Sequence, residues 1–195
     1  MTPDHESLLR EIEKFLKDNG CLCGECTYHE SFSKEMQRAM ASVYTPPSTL
    51  VRTRADRVAL HGRRVVSYDA KVRGRKSDYM AEALPIIAHL VEWEIFQMPT
   101  VYAFRMTHMQ DVPDRGVLID NAFAGLVGEI HLYTTPRQKE MNEWLEQHWR
   151  AFFPSASVRR YESGGSGDPA IVIYFDKLLN HPHWTELLRR ELDIT

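Results

Sequence analysis

Two aspartates and a lysine near the middle of the chain have the types and the spacing that metal-assisted chemistry requires. They form the pattern Asp-x12-Asp-x-Lys, with Asp56 at the start of one expected strand and Asp69 and Lys71 on the next. Asp69 and Lys71 share a face because side chains alternate along a strand. A tight turn at residues 61–63 would bring Asp56 alongside them.

This trio suits the hydrolysis of phosphodiester bonds. Carboxylates are hard oxygen ligands for Mg²⁺ or Mn²⁺, and a bound metal polarises a phosphate and lowers the pKa of an attacking water. A nearby lysine can orient that water or stabilise developing charge. The alternative is an exposed, arginine-rich hairpin in which Asp56 and Asp69 simply pair with neighbouring arginines.

Positive charge is concentrated around the trio. The whole chain has a formal net charge of -3, but residues 51–76 hold nine basic and two acidic residues, a net charge of +7. Such a patch is typical of a polyanion partner, although a solvated hairpin would have the same composition. The candidate phosphate contacts are Arg52, Arg54, Arg63, Arg64, Arg73, Arg75 and Lys76.

The surrounding pattern predicts a mixed central sheet flanked by helices, an α/β (α+β) fold in one domain over residues 1–195. Helices are expected at about 5–18, from a cap at Ser31 or Ser33 to about 43, and at 77–94, 136–153 and 183–192. Strands are expected near 50–51 and at 57–60, 64–72, 100–106, 117–119, 126–133 and 170–175, with a flexible loop at 162–168. Glu92, near the end of the third helix, is expected to face solvent.

The stretch from Thr53 to Lys71 resembles the PD-(D/E)XK nuclease superfamily, although Ala55 stands where proline is commonest and Asp69 where glutamate is more frequent. The resemblance implies that Asp56 and Asp69 are metal ligands and Lys71 is the catalytic lysine. It also implies a restriction-endonuclease-like core of helix, three strands, helix and strand, matched to residues of about 31–107. Residues 1–30 and 108–195 would then be an N-terminal and a C-terminal extension.

The same resemblance implies one more catalytic residue. The family often adds a glutamate or histidine from the helix that precedes the hairpin, and the sequence offers Glu35 first and His29 second. The spacing fixes neither residue.

A second cluster has the pattern Cys21-x-Cys23-x2-Cys26-x2-His29. Three thiolates and an imidazole suit tetrahedral Zn²⁺, which would here be structural. The alternative is a set of reduced thiols in a connection between helices. A four-cysteine iron–sulfur cluster lacks its fourth ligand.

Composition limits the class of protein. The 195 residues are 43% hydrophobic and 26% charged, and the longest apolar stretch, 83–91, is far shorter than a membrane span. The charged N-terminus lacks a signal-peptide core, and three closely spaced cysteines do not suggest a disulfide framework. An intracellular protein, cytoplasmic or nucleoid-associated, is therefore expected.

Together these patterns predict a Mg²⁺- or Mn²⁺-dependent nuclease, with nucleic acid as partner, DNA ahead of RNA, and no membrane. A homodimer or a larger complex is expected from the resemblance. One alternative is a non-catalytic nucleic-acid-binding or assembly protein that uses the basic hairpin 51–76, with or without a structural zinc. Another is a zinc-stabilised module for protein interaction.

Overall fold

The computed structural model describes residues 3–26, 33–41, 55–73, 78–108, 112–120, 157–160, 169–174 and 178–195. Its helices are α1 (Pro3–Asp18), α2 (Lys34–Ala41), α3 (Ala83–Phe96) and α4 (Trp184–Leu192). Its strands are β1 (Leu22–Glu25), β2 (Arg57–His61), β3 (Arg64–Arg73), β4 (Asp78–Glu82), β5 (Thr100–Met106), β6 (Arg115–Ile119), β7 (Ser157–Arg160) and β8 (Pro169–Tyr174). None of the helices in these ranges is long and apolar enough to cross a bilayer.

The larger sheet has five strands in the order β1-β2-β3-β5-β6. Strands β1, β2 and β3 are antiparallel neighbours, β3 and β5 are parallel, and β6 returns antiparallel to β5. A parallel pair needs a crossover connection, and α3 lies within this one. The expected mixed sheet with helices is confirmed, and the fold is α+β. A second, antiparallel sheet has the order β4-β8-β7.

The main core lies between one face of the larger sheet and the helices α1 and α4. The leucines and the isoleucine of α1 recur at helical spacing and are completely buried, and Phe15 is partly buried beside them. Burial of each such side chain contributes about 1.5–3 kcal/mol. The helix ends where Gly20 adopts a positive φ of 80° and the chain turns back into β1. The core contains Leu8, Leu9, Ile12, Leu16, Val66, Tyr68, Ala70, Val101, Ala103, Trp184, Leu187, Leu188 and Leu192.

The first strand of the sheet comes from the cysteine-rich segment. Strand β1 pairs with β2 from Leu22 opposite Leu60 to Glu25 opposite Arg57. From α1 to β5 the elements follow in the order α1, β1, α2, β2, β3, β4, α3 and β5, and β1, from before residue 31, is part of the larger sheet. The nuclease-like core of about 31–107 stays a prediction. The single domain over 1–195 stays a prediction.

One expected helix begins later than its sequence pattern indicates. Residues 78–82 form β4, which pairs antiparallel with β8, and α3 starts only at Ala83. The helix predicted from residue 77 is wrong over this strand because pairing with a distant segment overrides the local preference. Glu92 on α3 is also not exposed to solvent, since only 2% of its surface is accessible. The elements expected at 50–51, 126–133, 136–153 and 162–168 lie outside the described residues.

An ion-pair network joins α1, β5, β6 and α4 on the α1 side of the sheet. Arg105 donates to both carboxylate oxygens of Glu11, at 2.8 and 2.6 Å, and to those of Asp114, at 2.6–3.2 Å. Trp184 Nε1 also donates to Asp114 Oδ2 at 3.1 Å. These carboxylates raise the pKa of Arg105, which is held charged.

We expect Asp114→Ala to destabilise the fold by about 2–4 kcal/mol, or roughly 4–16 °C in Tm. The substitution removes a buried carboxylate that satisfies both Arg105 and Trp184. The lower limit of this range applies because the Arg105 side chain is 21% exposed, so water can partly replace the lost carboxylate. Glu11→Gln is the matched control, because it weakens an exposed pair to the same guanidinium and should cost under about 1 kcal/mol. Equal losses of Tm in the two variants would contradict this assignment.

Candidate active site

The register of the hairpin places Asp56 and Asp69 side by side. Arg57 pairs with Tyr68, so the next position on each strand is Asp56 opposite Asp69. The backbone N–H of Ala70 donates to Asp56 Oδ2 at 3.0 Å, which fixes that carboxylate against β3. The two aspartates that the sequence singled out therefore lie at the same end of the hairpin.

Lys71 completes the trio. Its Nζ lies 2.6 Å from Asp69 Oδ1, on the same face of β3. Asp69 is only 5% exposed, and burial raises its pKa to about 6; attraction to Lys71 opposes this rise and repulsion from Asp56 adds to it. Additional positive charge is therefore favourable at Asp69.

His5, in the first turn of α1, reaches the other carboxylate. Its Nε2 lies 3.1 Å from Asp56 Oδ2. This hydrogen bond raises the pKa of His5 against the effect of burial. Burial alone would raise the pKa of Asp56, but His5 and the Ala70 N–H outweigh it, so the pKa of Asp56 is lowered. Sequence reasoning missed His5, although it lies four residues before Leu9 and hence on the core-facing side of α1.

A buried tyrosine and histidine lie beside the lysine. Tyr102 is next to Asp69 in the parallel register, and the Nζ of Lys71 lies 5.5 Å from the centre of its ring. The Tyr102 hydroxyl and His89 Nδ1 share a hydrogen bond of 2.7 Å. Burial lowers the pKa of His89 to about 3, so its ring is neutral. The Lys71 ammonium therefore lies close both to the Asp69 carboxylate and to a hydrogen-bonded aromatic ring.

The residues expected from the preceding helix are placed differently. Glu35 is exposed on α2, and no contact between it and the trio is present in the described part of the chain. His29 lies outside that part. The helix that does reach Asp56 is α1, which precedes all three strands of the hairpin side of the sheet.

The expected phosphate contacts are spread along the whole hairpin. Arg64 is five residues from Asp69 along β3, a distance of about 17 Å, so Arg63 and Arg64 lie far from the trio. Arg73 lies at the end of β3 that carries Lys71. Arg57 is close to Asp56 in sequence but pairs with Glu25 at 2.8 Å. Arg52, Arg54, Arg75 and Lys76 lie outside the described residues.

The cysteines are part of the sheet and its core. Cys21 is buried, Cys23 packs against the same core, and Cys26 donates its backbone N–H to the Asp56 carbonyl oxygen. All three are free thiols, and burial raises the pKa of Cys21 and Cys23. Over the described ranges, no group of three or more His, Cys, Asp or Glu side chains is placed to hold a metal. The zinc prediction gains no support there, and reduced thiols fit this environment.

The absence of a group of three or more ligands in the described ranges also limits which metal the trio could hold. A zinc site needs three or four protein ligands, whereas Mg²⁺ usually keeps several waters and takes one or two carboxylates together with substrate phosphates. Asp56 and Asp69 supply two such carboxylates, and the raised pKa of Asp69 shows that a cation there would be favourable. The residues present therefore fit Mg²⁺ or Mn²⁺.

Comparisons with known proteins show a distant structural similarity. No protein-family model matches the chain, and no curated protein matches its sequence. Among solved structures the chain is similar to Hjc, a Holliday junction resolvase from the archaeal hyperthermophile Archaeoglobus fulgidus. The two are 11% identical, 94% of each chain is covered, and the TM-score is 0.45. At this distance the activity of that protein does not transfer to this chain, and the function must be argued from the site.

We expect the imidazole of His5 to titrate above its ordinary pKa of 6.5 in metal-free protein, because Asp56 stabilises its charged form. Asp69 strengthens this effect and Lys71 weakens it. The pair therefore stabilises the fold fully below pH 6.5, and this contribution is lost as pH rises through the folded-state pKa. Titration by NMR in EDTA measures the midpoint. Asp56→Asn should lower it, Asp4→Asn is the control, and equal midpoints in all three proteins would contradict the assignment.

Proposed function

We propose that this chain is a divalent-metal-dependent nuclease that hydrolyses phosphodiester bonds in nucleic acid. The observation that carries the proposal is the convergence of Asp56, directly before β2, with Asp69 on β3, where the Ala70 N–H donates to the Asp56 carboxylate and the Lys71 ammonium lies 2.6 Å from Asp69. Two carboxylates and a lysine are the groups that this reaction needs. The resemblance of residues 53–71 to the PD-(D/E)XK pattern agrees with the proposal.

Each residue of the site has a separate role. Mg²⁺ or Mn²⁺ held by Asp56 and Asp69 would supply Lewis-acid polarisation of the phosphate and a water of lowered pKa. Lys71 stabilises negative charge on the reacting phosphate oxygens. The Tyr102 ring limits the positions its ammonium can take. His5 and the Ala70 N–H hold Asp56 in the orientation that faces Asp69.

A second candidate is the non-catalytic nucleic-acid-binding protein. It is favoured by one observation, namely that each carboxylate already has a basic side chain as partner, Asp69 with Lys71 and Asp56 with His5. In that case the trio would be a set of ion pairs within a basic docking surface. DNA ahead of RNA as substrate, an intracellular location and a homodimeric or larger assembly remain part of the nuclease proposal.

The test is cleavage of labelled single- and double-stranded DNA and RNA by the purified chain in Mn²⁺, in Mg²⁺ and in EDTA. Cleavage that requires a divalent ion and stops in EDTA would support the nuclease, and the substrate that is cut would give its class. Calorimetric titration with Mn²⁺ checks metal binding independently of turnover. Binding of nucleic acid with no cleavage in either metal would support the second candidate instead.

A further inference from the structure

A groove lies at the end of the larger sheet opposite the trio, between the β2–β3 turn and the last turn of α3. Its volume is about 370 Å³. The walls combine arginines of the turn with aromatic side chains of the helix. We refer to this feature as the Arg63–Phe96 groove. Its lining includes Arg63, Arg64, Val65, Trp93, Phe96 and Glu191.

The described lining of the groove carries more positive than negative charge. Arg63 and Arg64 are both exposed, and neither guanidinium has an ion pair or side-chain hydrogen bond to any part of the chain that the structure describes. The acid that lines the groove, Glu191, is paired with Arg190 at 2.9 Å. Two free guanidiniums in one concave surface suit an anionic ligand with at least one phosphate.

The opposite wall is apolar and open to solvent. Phe96 is 59% exposed and Trp93 is half-buried on this helix wall, and Val65, next to Arg64 on β3, is 40% exposed across from them. An exposed aromatic ring next to arginines is the combination that single-stranded nucleic acid binds, since the ring stacks on an unpaired base while the cations contact the backbone. A duplex offers no unpaired base face for this stacking.

Both walls are held in place before any ligand binds. His61 Nδ1 and the carbonyl oxygen of Leu192 are hydrogen-bonded at 2.9 Å, which attaches the turn to α4. Gly62 has a positive φ of 58°, which allows the tight turn that presents the two arginines. At the other wall the backbone and side-chain N–H groups of Gln97 both donate to the Trp93 carbonyl oxygen. A preformed site loses less entropy on binding.

We propose that the Arg63–Phe96 groove binds a single-stranded segment of nucleic acid, with a base against Phe96 and Trp93 and a phosphate against Arg63 and Arg64. Val65 in the groove and Asp69 in the trio share a face of β3 and lie about 13 Å apart. A strand in the groove can therefore belong to the same molecule that reaches the trio. The inference rests on the proposed function in one respect, the choice of nucleic acid as the ligand.

The test measures binding in EDTA, where metal-dependent cleavage cannot occur. Fluorescence anisotropy would follow a labelled twelve-nucleotide oligo-dT strand and a duplex of equal length over a range of salt concentrations. We expect Arg63→Gln/Arg64→Gln to weaken single-strand binding about 10- to 100-fold and to lower the salt slope by roughly 1.4. Phe96→Ser should weaken it about 5- to 100-fold, with a smaller effect on the duplex.

Matched controls remove the same groups elsewhere. Arg10→Gln/Lys14→Gln removes two exposed cations from α1, and Leu179→Ser removes an exposed apolar side chain. All replaced side chains are largely on the surface, and Tm verifies that the variants are folded. The proposal would be overturned if the groove variants bound the single strand as tightly as the control variants do. Equal losses of affinity for the single strand and for the duplex would also overturn it.

The outcomes separate this proposal from the nuclease. Weaker binding in the groove variants, in a chain that cuts nothing, would support the groove and remove the nuclease. Metal-dependent cleavage with no effect of the groove variants would keep the nuclease and overturn the groove. Absence of any nucleic-acid binding would overturn both.

Discussion

Lys71→Met is expected to reduce metal-dependent cleavage about 100- to 1,000-fold while leaving the chain folded. The Lys71 ammonium is the cation nearest to Asp69, at 2.6 Å, and methionine removes its charge. The methionine side chain keeps an apolar stem against the Tyr102 ring, so the packing changes little. Single-turnover rates in Mn²⁺ and Mg²⁺, at saturating protein, measure the chemical step directly.

Lys14→Met is the control for this experiment. Lys14 is exposed on α1 and pairs with Asp18 one turn later, so its loss removes a positive charge without touching the site. Its cleavage rate should equal that of the wild type. A Lys71→Met variant that is folded and cuts at the wild-type rate would remove Lys71 from the reaction and leave it as the ion-pair partner of Asp69.

Local patterns were enough to predict that Asp56, Asp69 and Lys71 lie close together. Asp69 and Lys71 share a face because of the period-two alternation of a strand, and one tight turn is enough to place Asp56 beside them. Both features depend on fewer than twenty consecutive residues. The structure confirms this hairpin, with its turn at Gly62.

The partners of the trio depend on contacts between distant segments. His5 meets Asp56 only because α1 packs across the sheet, and Tyr102 lies beside Asp69 only because β5 joins β3 in parallel. Both contacts join residues that are far apart in the chain, so no local sequence pattern predicts them. Helix α3 was difficult for a different reason: its sequence, ALPIIAHLVEWEIF, is mostly apolar and has no distinct polar face, and Glu92, expected to face solvent, is buried.

The position of the basic residues in space also could not be predicted from the sequence alone. The excess of arginine between residues 51 and 76 predicts a basic surface, but a hairpin of this length separates its two ends. Arg64 at the turn is about 17 Å from Asp69, so it would contact a different part of a bound polymer from the part that reaches the carboxylates. Within the described residues, the basic side chains of this segment are therefore divided between the turn, with Arg63 and Arg64, and the end of β3 that carries Lys71 and Arg73.

Asp69→Asn is expected to abolish metal-dependent cleavage and, in EDTA at neutral pH, to stabilise the chain. Burial raises the folded-state pKa of Asp69 to about 6, from 3.8, against the attraction of Lys71. A carboxyl with a raised pKa favours the folded state below about pH 3.8, and that contribution is lost as pH rises through 6. Asparagine carries no charge at any pH, so it removes this loss.

The difference in Tm between Asp69→Asn and the wild type should therefore grow from pH 4 to pH 7.5, by about 2 kcal/mol or roughly 4–8 °C. Thermal unfolding in EDTA at the two pH values measures it, and Asp18→Asn, an exposed carboxylate on α1, is the control. If Asp69 served only to pair with Lys71, its removal would lower Tm most at neutral pH, where the pair is fully charged. The sign of the change thus separates the two roles, because a carboxylate that destabilises the metal-free fold at neutral pH suits a site that binds a cation.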